Sequence, residues 1–119
     1  MNSEKAVLRY RDGRTERVEM APVDPSRQVF TVTRDNGENA EVPYSELKAV
    51  FFPHKDGAVV ESPEGSTLTV EFSDGEVIRG TAQYNPEKNG FFLFPLDRSK
   101  NDRVFVVNSA IVSIEVERL

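Results

Sequence analysis

The chain of 119 residues has no cysteine. That excludes disulfide frameworks, thiol nucleophiles and zinc-thiolate centres, and it suits a reducing compartment. Histidine occurs once, at His54, so a Ser-His-Asp relay or a His-based metal site would hang on one residue in a Pro- and Gly-containing stretch. No apolar run comes near the roughly 20 residues a membrane-spanning helix needs. The opening MNSEKAVLRY carries no apolar signal core. A cytoplasmic protein with no membrane segment is expected. Positive charge is also short: 15 Lys and Arg stand against 20 Asp and Glu, for a net charge of −5. Such a balance disfavours nucleic acid, whose sequence-independent binding needs cations to neutralise phosphates. The basic cluster Arg9, Arg11, Arg14 and Arg17 is interleaved with Glu16 and Glu19 and reads as a solvated surface of mixed sign. No Gly-containing stretch has phosphate-cradling spacing, and no carboxylate pair falls on one rigid element, so neither catalysis nor a cofactor is expected.

What is present is a repeat. LRYRDGRTERV, residues 8–18, is echoed by VEFSDGEVIRG, residues 70–80. Asp12-Gly13 and Asp74-Gly75 lie 62 positions apart, Asp24-Pro25 and Asn85-Pro86 lie 61 apart, and Leu47 and Ile111 lie 64 apart. Offsets this constant indicate duplication, with units at 1–52 and 68–119 and a connector at 53–67. Within each unit the apolar period is two. Ala6, Leu8 and Tyr10 alternate with Val7, Arg9 and Arg11, as Leu68, Val70 and Phe72 do with Thr69, Glu71 and Ser73. Asp-Gly after such a run predicts a hairpin with positive φ at its central residues, so Asp12, Gly13, Asp74 and Gly75 are assigned to turns. Three further strands follow in each unit: VFTVT, AEVPY and LKAVFF in the first, FFLFP, RVFVV and IVSIEV in the second. YSEL and NSAI form tight corners before the last strand. The expected fold is all-β, two tandem five-stranded barrels packed together, with helix nearly absent.

VEFSDGEVIRG, YNPEKNGFFLF and RVFVVNSAIVSIEV together resemble the SH3-like and Sm-like small barrels, in which a bent second strand carries a glycine; Gly80 is the bend glycine on this resemblance, and the first unit has Val18 at that place. Taken with VPYSELKAVFF, the segments also resemble an uncharacterised family of bacterial signalling-associated domains found alone or beside PilZ-type modules. That resemblance covers nearly the whole chain and implies a non-catalytic adaptor or regulatory role. The Sm likeness raises RNA binding as an alternative, for which Asn89-Gly90 and Asn108-Ser109 stand at two of the expected places, while the last corner lacks the Arg-Gly pair expected there.

The two copies differ on one face. With Phe30 and Val32 inward, Phe91 and Leu93 are inward too, which leaves Phe92 and Phe94 outside where the first copy has Thr31 and Thr33. With Ala40 and Val42 inward, Val104 and Val106 follow, leaving Phe105 and Val107 outside against Glu41 and Pro43. Phe92, Phe94, Phe105 and Val107 therefore form an apolar outer face that must be covered. The first barrel, a second copy in a homodimer, or another protein would cover it.

Overall fold

A computed structural model describes residues 4–21, 28–53, 65–84, 89–96 and 101–117. Residues 54–64 of the connector, His54 among them, and the turns at Asp24-Pro25 and Asn85-Pro86 lie outside them; of the rest of the expected connector, Pro53 ends the fifth strand and Ser66 and Thr67 open the sixth. The chain is all-β. The first half contains β1 (Glu4–Tyr10), β2 (Thr15–Met20), β3 (Val29–Arg34), β4 (Asn39–Pro43) and β5 (Leu47–Pro53); the second contains β6 (Ser66–Phe72), β7 (Val77–Ala82), β8 (Gly90–Pro95), β9 (Asn101–Val107) and β10 (Ile111–Glu117). Single 3-10 turns, Tyr44–Glu46 and Asn108–Ala110, make the two corners before β5 and β10.

The hairpins differ in type from the sequence expectation. Asp12 and Asp74 do not adopt positive φ; only the glycines do, Gly13 at 95°, Gly75 at 90° and, in the β3–β4 hairpin, Gly37 at 84°. The Gly13 and Gly75 amides donate to the carbonyls of Tyr10 and Phe72. The aspartate therefore sits at an ordinary central position of a type I turn, and the glycine after it takes the left-handed residue that realigns the strands. The aspartate instead caps the loop: Asp12 Oδ1 accepts the Arg14 amide at 2.9 Å and Asp74 Oδ1 the Glu76 amide at 3.0 Å.

Strand pairing repeats as the sequence does. Ala6 faces Val18 and Leu68 faces Gly80; Phe30 faces Val42 and Phe91 faces Val106; Leu8 faces Val50 and Val70 faces Ile114. Even the irregularity recurs, for β5 skips Lys48 against β1 and β10 skips Val112 against β6. Gly80 has a physical reason. A β-carbon there would collide with the carbonyl oxygen of Phe94 and come within 2.6 Å of Leu93 Cδ2, so β8 lies against the glycine's bare backbone.

All ten strands form one antiparallel sheet, in the order β10-β6-β7-β8-β9-β5-β1-β2-β3-β4, rather than a separate five-stranded sheet for each of two packed barrels. The halves are joined by hydrogen bonding between β5 and β9. Two cores result, on opposite faces of that pair. One gathers Leu8, Val18, Phe30, Val42, Leu47, Val50 and Phe52; the other gathers Leu68, Val70, Phe72, Phe91, Leu93, Val104 and Val106. The sheet thus curls one way over the first core and the other way over the second. The curl is strong enough to bring Phe30 of β3 within 5.6 Å of Phe105 of β9, a strand four places away in the sheet.

Candidate functional site

Two features meet where the halves join, a doubly buried strand pair and an ionic clasp, and two open sheet edges lie at the far ends of the sheet. β5 reads LKAVFFP and is buried at every residue but Pro53. Its period-two alternation does not separate apolar from polar; it separates two cores, with Val50 and Phe52 facing the first and Ala49 and Phe51 the second. β9 does the same with Phe105 and Val107 against Val104 and Val106.

The residues assigned to the outer apolar face fall as follows. Phe105 and Val107 lie in the first core, 0% and 1% exposed, and Phe92 packs against it. Phe105 is the hub, edge-on to Phe30 and Phe92 and 5.9 Å from Tyr44. Phe94 is only partly buried and sits one step past Leu93, the last β8 residue paired with β9, where it faces Thr81 of β7. Arg103 spans the same seam. Its guanidinium lies 4.0 Å over the Phe52 ring and 5.3 Å from that of Phe92, and forks onto Glu4 of β1 at 2.7 and 2.9 Å.

The clasp was not visible in sequence. Lys48 is the bulged residue of β5, and the extra residue turns its side chain towards the β6–β7 hairpin. Its ammonium is 2.8 Å from Asp74 Oδ2 and 2.6 Å from Glu76 Oε1, and its side chain is 7% exposed. Arg9, stacked 4.2 Å over Phe51, reaches both oxygens of Glu76 at 2.8 and 3.0 Å. The Lys48 hydrogen bond, then the Glu76 amide, hold the Asp74 carboxyl below its usual range. Burial pushes Glu76 up, but hydrogen bonds from Lys48 and Arg9 outweigh it and the net shift is down. Arg11 adds a third bridge, giving Nε to the Leu47 carbonyl and a guanidinium nitrogen to Ser109 Oγ. Three of the four arginines of the first hairpin are thus engaged, Arg14 with Asp12.

The described residues contain no group of three His, Asp or Glu placed to hold a metal ion. A groove of about 750 Å³ runs along β1–β3 past Lys5, Arg17, Glu19, Arg34 and Asp35, with both signs of charge mixed. A second, of about 500 Å³, brings Asn89 and Asn108 together beside Tyr44 and Pro43; the Asn108 amide donates to the Asn89 carbonyl at 2.9 Å. At the ends of the sheet, β4 and β10 each have one strand neighbour among the described residues.

A family model described as a family of unknown function, DUF6982, matches residues 2–118. The chain belongs to this family. The match takes in all ten strands and the seam between β5 and β9. No curated protein and no solved structure matches the chain.

Two expectations follow. Replacing Phe105 by Ala should cost about 3–5 kcal/mol, since a ring shared by both halves leaves a cavity; Phe94→Ser, beyond the seam, should cost markedly less. Denaturant melts of the two variants check the order. The clasp should show in acid. Because Asp74 and Glu76 have lowered values in the folded state, their stabilisation is present above about pH 4 and is lost as pH falls through those values. Asp74→Asn combined with Glu76→Gln should destabilise the fold at neutral pH, because it strands the buried Lys48 ammonium, and should do so more than Lys48→Met, which leaves only partly exposed carboxylates behind. Melts from neutral pH down to about pH 3 should show a shallower acid loss in the double variant.

Proposed function

We propose that the protein is a non-catalytic protein-interaction module, an adaptor in bacterial signalling or regulation, built from two fused small barrels of the SH3-like and Sm-like kind. The barrel reading is supported by the shared order of the halves, fifth strand beside first, then second, third and fourth, and by the 3-10 corner before each fifth strand. The observation that carries the interaction reading is the β10 edge. Its counterpart β5 has β1 on one side and accepts β9 on the other; β10 has β6 on one side and, among the described residues, no strand on the other. The strand is seven residues long and leaves Val112 and Val116 63% and 49% exposed. An extended segment can add there through its backbone, as in β-augmentation.

Charge narrows the partner. Glu115 lies on the same face as Glu71 of β6, which is opposite Ser113, so an incoming strand alternating apolar residues with Lys or Arg is the complementary one. The Sm-like alternative has the paired asparagines Asn89 and Asn108 in its favour and the acidic charge balance against it.

Immobilised wild-type protein should retain a partner from native lysate that Val112→Lys combined with Val116→Lys loses, because edge lysines oppose strand addition. The variant's melt should lie within about 0.5 kcal/mol of wild type. Equal retention by the variant would refute the edge. Binding of single-stranded RNA that weakens steeply with salt would favour the Sm-like alternative.

A further inference from the structure

The contact that joins the halves is of the head-to-tail kind. A fifth strand, β5, pairs with a fourth strand, β9, and the strands left at the two ends of the sheet are the other fourth strand, β4, and the other fifth strand, β10. Such a contact is not used up by one pairing. By the same operation β10 of one chain could take β4 of the next, and so on without limit.

The repeat register says what that contact would contain. At the seam Ala49, Val50, Phe51 and Phe52 face Val106, Phe105, Val104 and Arg103. Carried over by the repeat offset, Ser113, Ile114, Glu115 and Val116 of one chain would face Val42, Glu41, Ala40 and Asn39 of the next. Every position that crosses into the other half's core at the seam has changed character. Phe105, buried in the first core, becomes Glu41, and Val107 becomes Pro43; Phe51, buried in the second, becomes Glu115, and Ala49 becomes Ser113. Repeating the contact would put two carboxylates into apolar cores, and Pro43 brings no amide to the pairing. The clasp changes as well. Lys48 corresponds to Val112, and Asp74 and Glu76 to Asp12 and Arg14, so the buried ammonium has no counterpart; one attraction would survive, Arg14 with Glu71 in place of Glu76 with Arg9. Positions that keep their own half's core, such as Ile114 for Val50 and Val42 for Val106, remain apolar.

We propose that Glu41, Pro43 and Glu115 are blocking residues, which end a head-to-tail series after two repeats and keep copies of this chain from pairing edge to edge. The changes fall on the cross-core positions and spare those serving each half's own core, which are the positions a block has to occupy; Pro43, which brings no amide to a further pairing, goes beyond what a solvent-facing strand position needs. The device matches the polar caps that end repeat arrays and the charges and prolines that protect sheet edges. It is independent of what binds β10, since it concerns only a second copy.

The test restores the seam residues on one edge at a time. One variant carries Glu41→Phe and Pro43→Val on β4; the other carries Ser113→Ala and Glu115→Phe on β10. Light scattering should find wild type and each variant alone at the mass of one chain, because each still meets a blocked edge. Mixing the two variants should give the mass of two chains, and a chain carrying both sets should grow with concentration. Folded variants, by circular dichroism, that fail to associate on mixing would overturn the proposal. So would variants that self-associate alone as much as when mixed, which indicates mere stickiness, or a wild type that pairs through these edges already. If the phenylalanine variants lose the wild-type spectrum, Val at positions 41 and 115 makes the same comparison.

Discussion

Everything in the molecule depends on β5 and β9 being apolar on both faces. A strand at the side of a small antiparallel sheet normally offers one face to a core and the other to water. Here neither central strand does, and Val50, Phe51, Phe105 and Val106 are buried in two directions at once. Two cores therefore share one pair of strands, and neither half has a complete core of its own: the first borrows Phe105 and Val107, and the second borrows Ala49 and Phe51. Burying one such side chain contributes roughly 1.5–3 kcal/mol. That gain from four side chains is what a separated half would forfeit.

The polar contacts across the seam are shaped by the same geometry. Because the strands at the join are apolar, the charges that register the halves come from its margins. Arg9, Lys48 and Arg103 each lay an aliphatic stem or a cationic face over an aromatic ring, Phe51, Phe72 and Phe52 in turn, before meeting a carboxylate of the other half. The stacking covers ring surface that would otherwise be wet, and the carboxylates fix the relative position of the two repeats. The Lys48 bulge illustrates how a repeated irregularity takes on different uses. Its counterpart Val112 has the same bulge and points to solvent, on an edge that carries no second half to clasp.

Much of this was legible in the sequence. The duplication followed from constant offsets, the inward residues of each strand from period two, and the need to cover Phe92, Phe105 and Val107 from a comparison of the copies. The join was not, though LKAVFF and VFVV carry the signal: unbroken apolar runs in a chain of otherwise alternating strands mark a strand with a core on each side. Read as ordinary one-sided strands, they suggested two separate five-stranded barrels packed together. Phe94 shares the face of Phe92, but its fate depends on where β8 leaves β9, which no local pattern records. Lys48 was invisible for a related reason. A lysine in an apolar strand acquires meaning only when the bulge and the hairpin at Asp74 are brought together, and those are 26 residues apart in sequence. Turn type was misjudged because Asp-Gly serves two hairpin geometries, and the choice rests on whether the aspartate or only the glycine takes positive φ.

If the shared strand pair is what holds the molecule together, the two halves cannot open separately. Native-state hydrogen exchange addresses this residue by residue. The amides of Val50, Phe51, Val104 and Phe105 should exchange only through global unfolding, with the same opening free energy as Leu8 in the first half and Val70 in the second. Two distinct opening free energies for the halves, with β5 and β9 less protected than the strands on either side, would contradict the account.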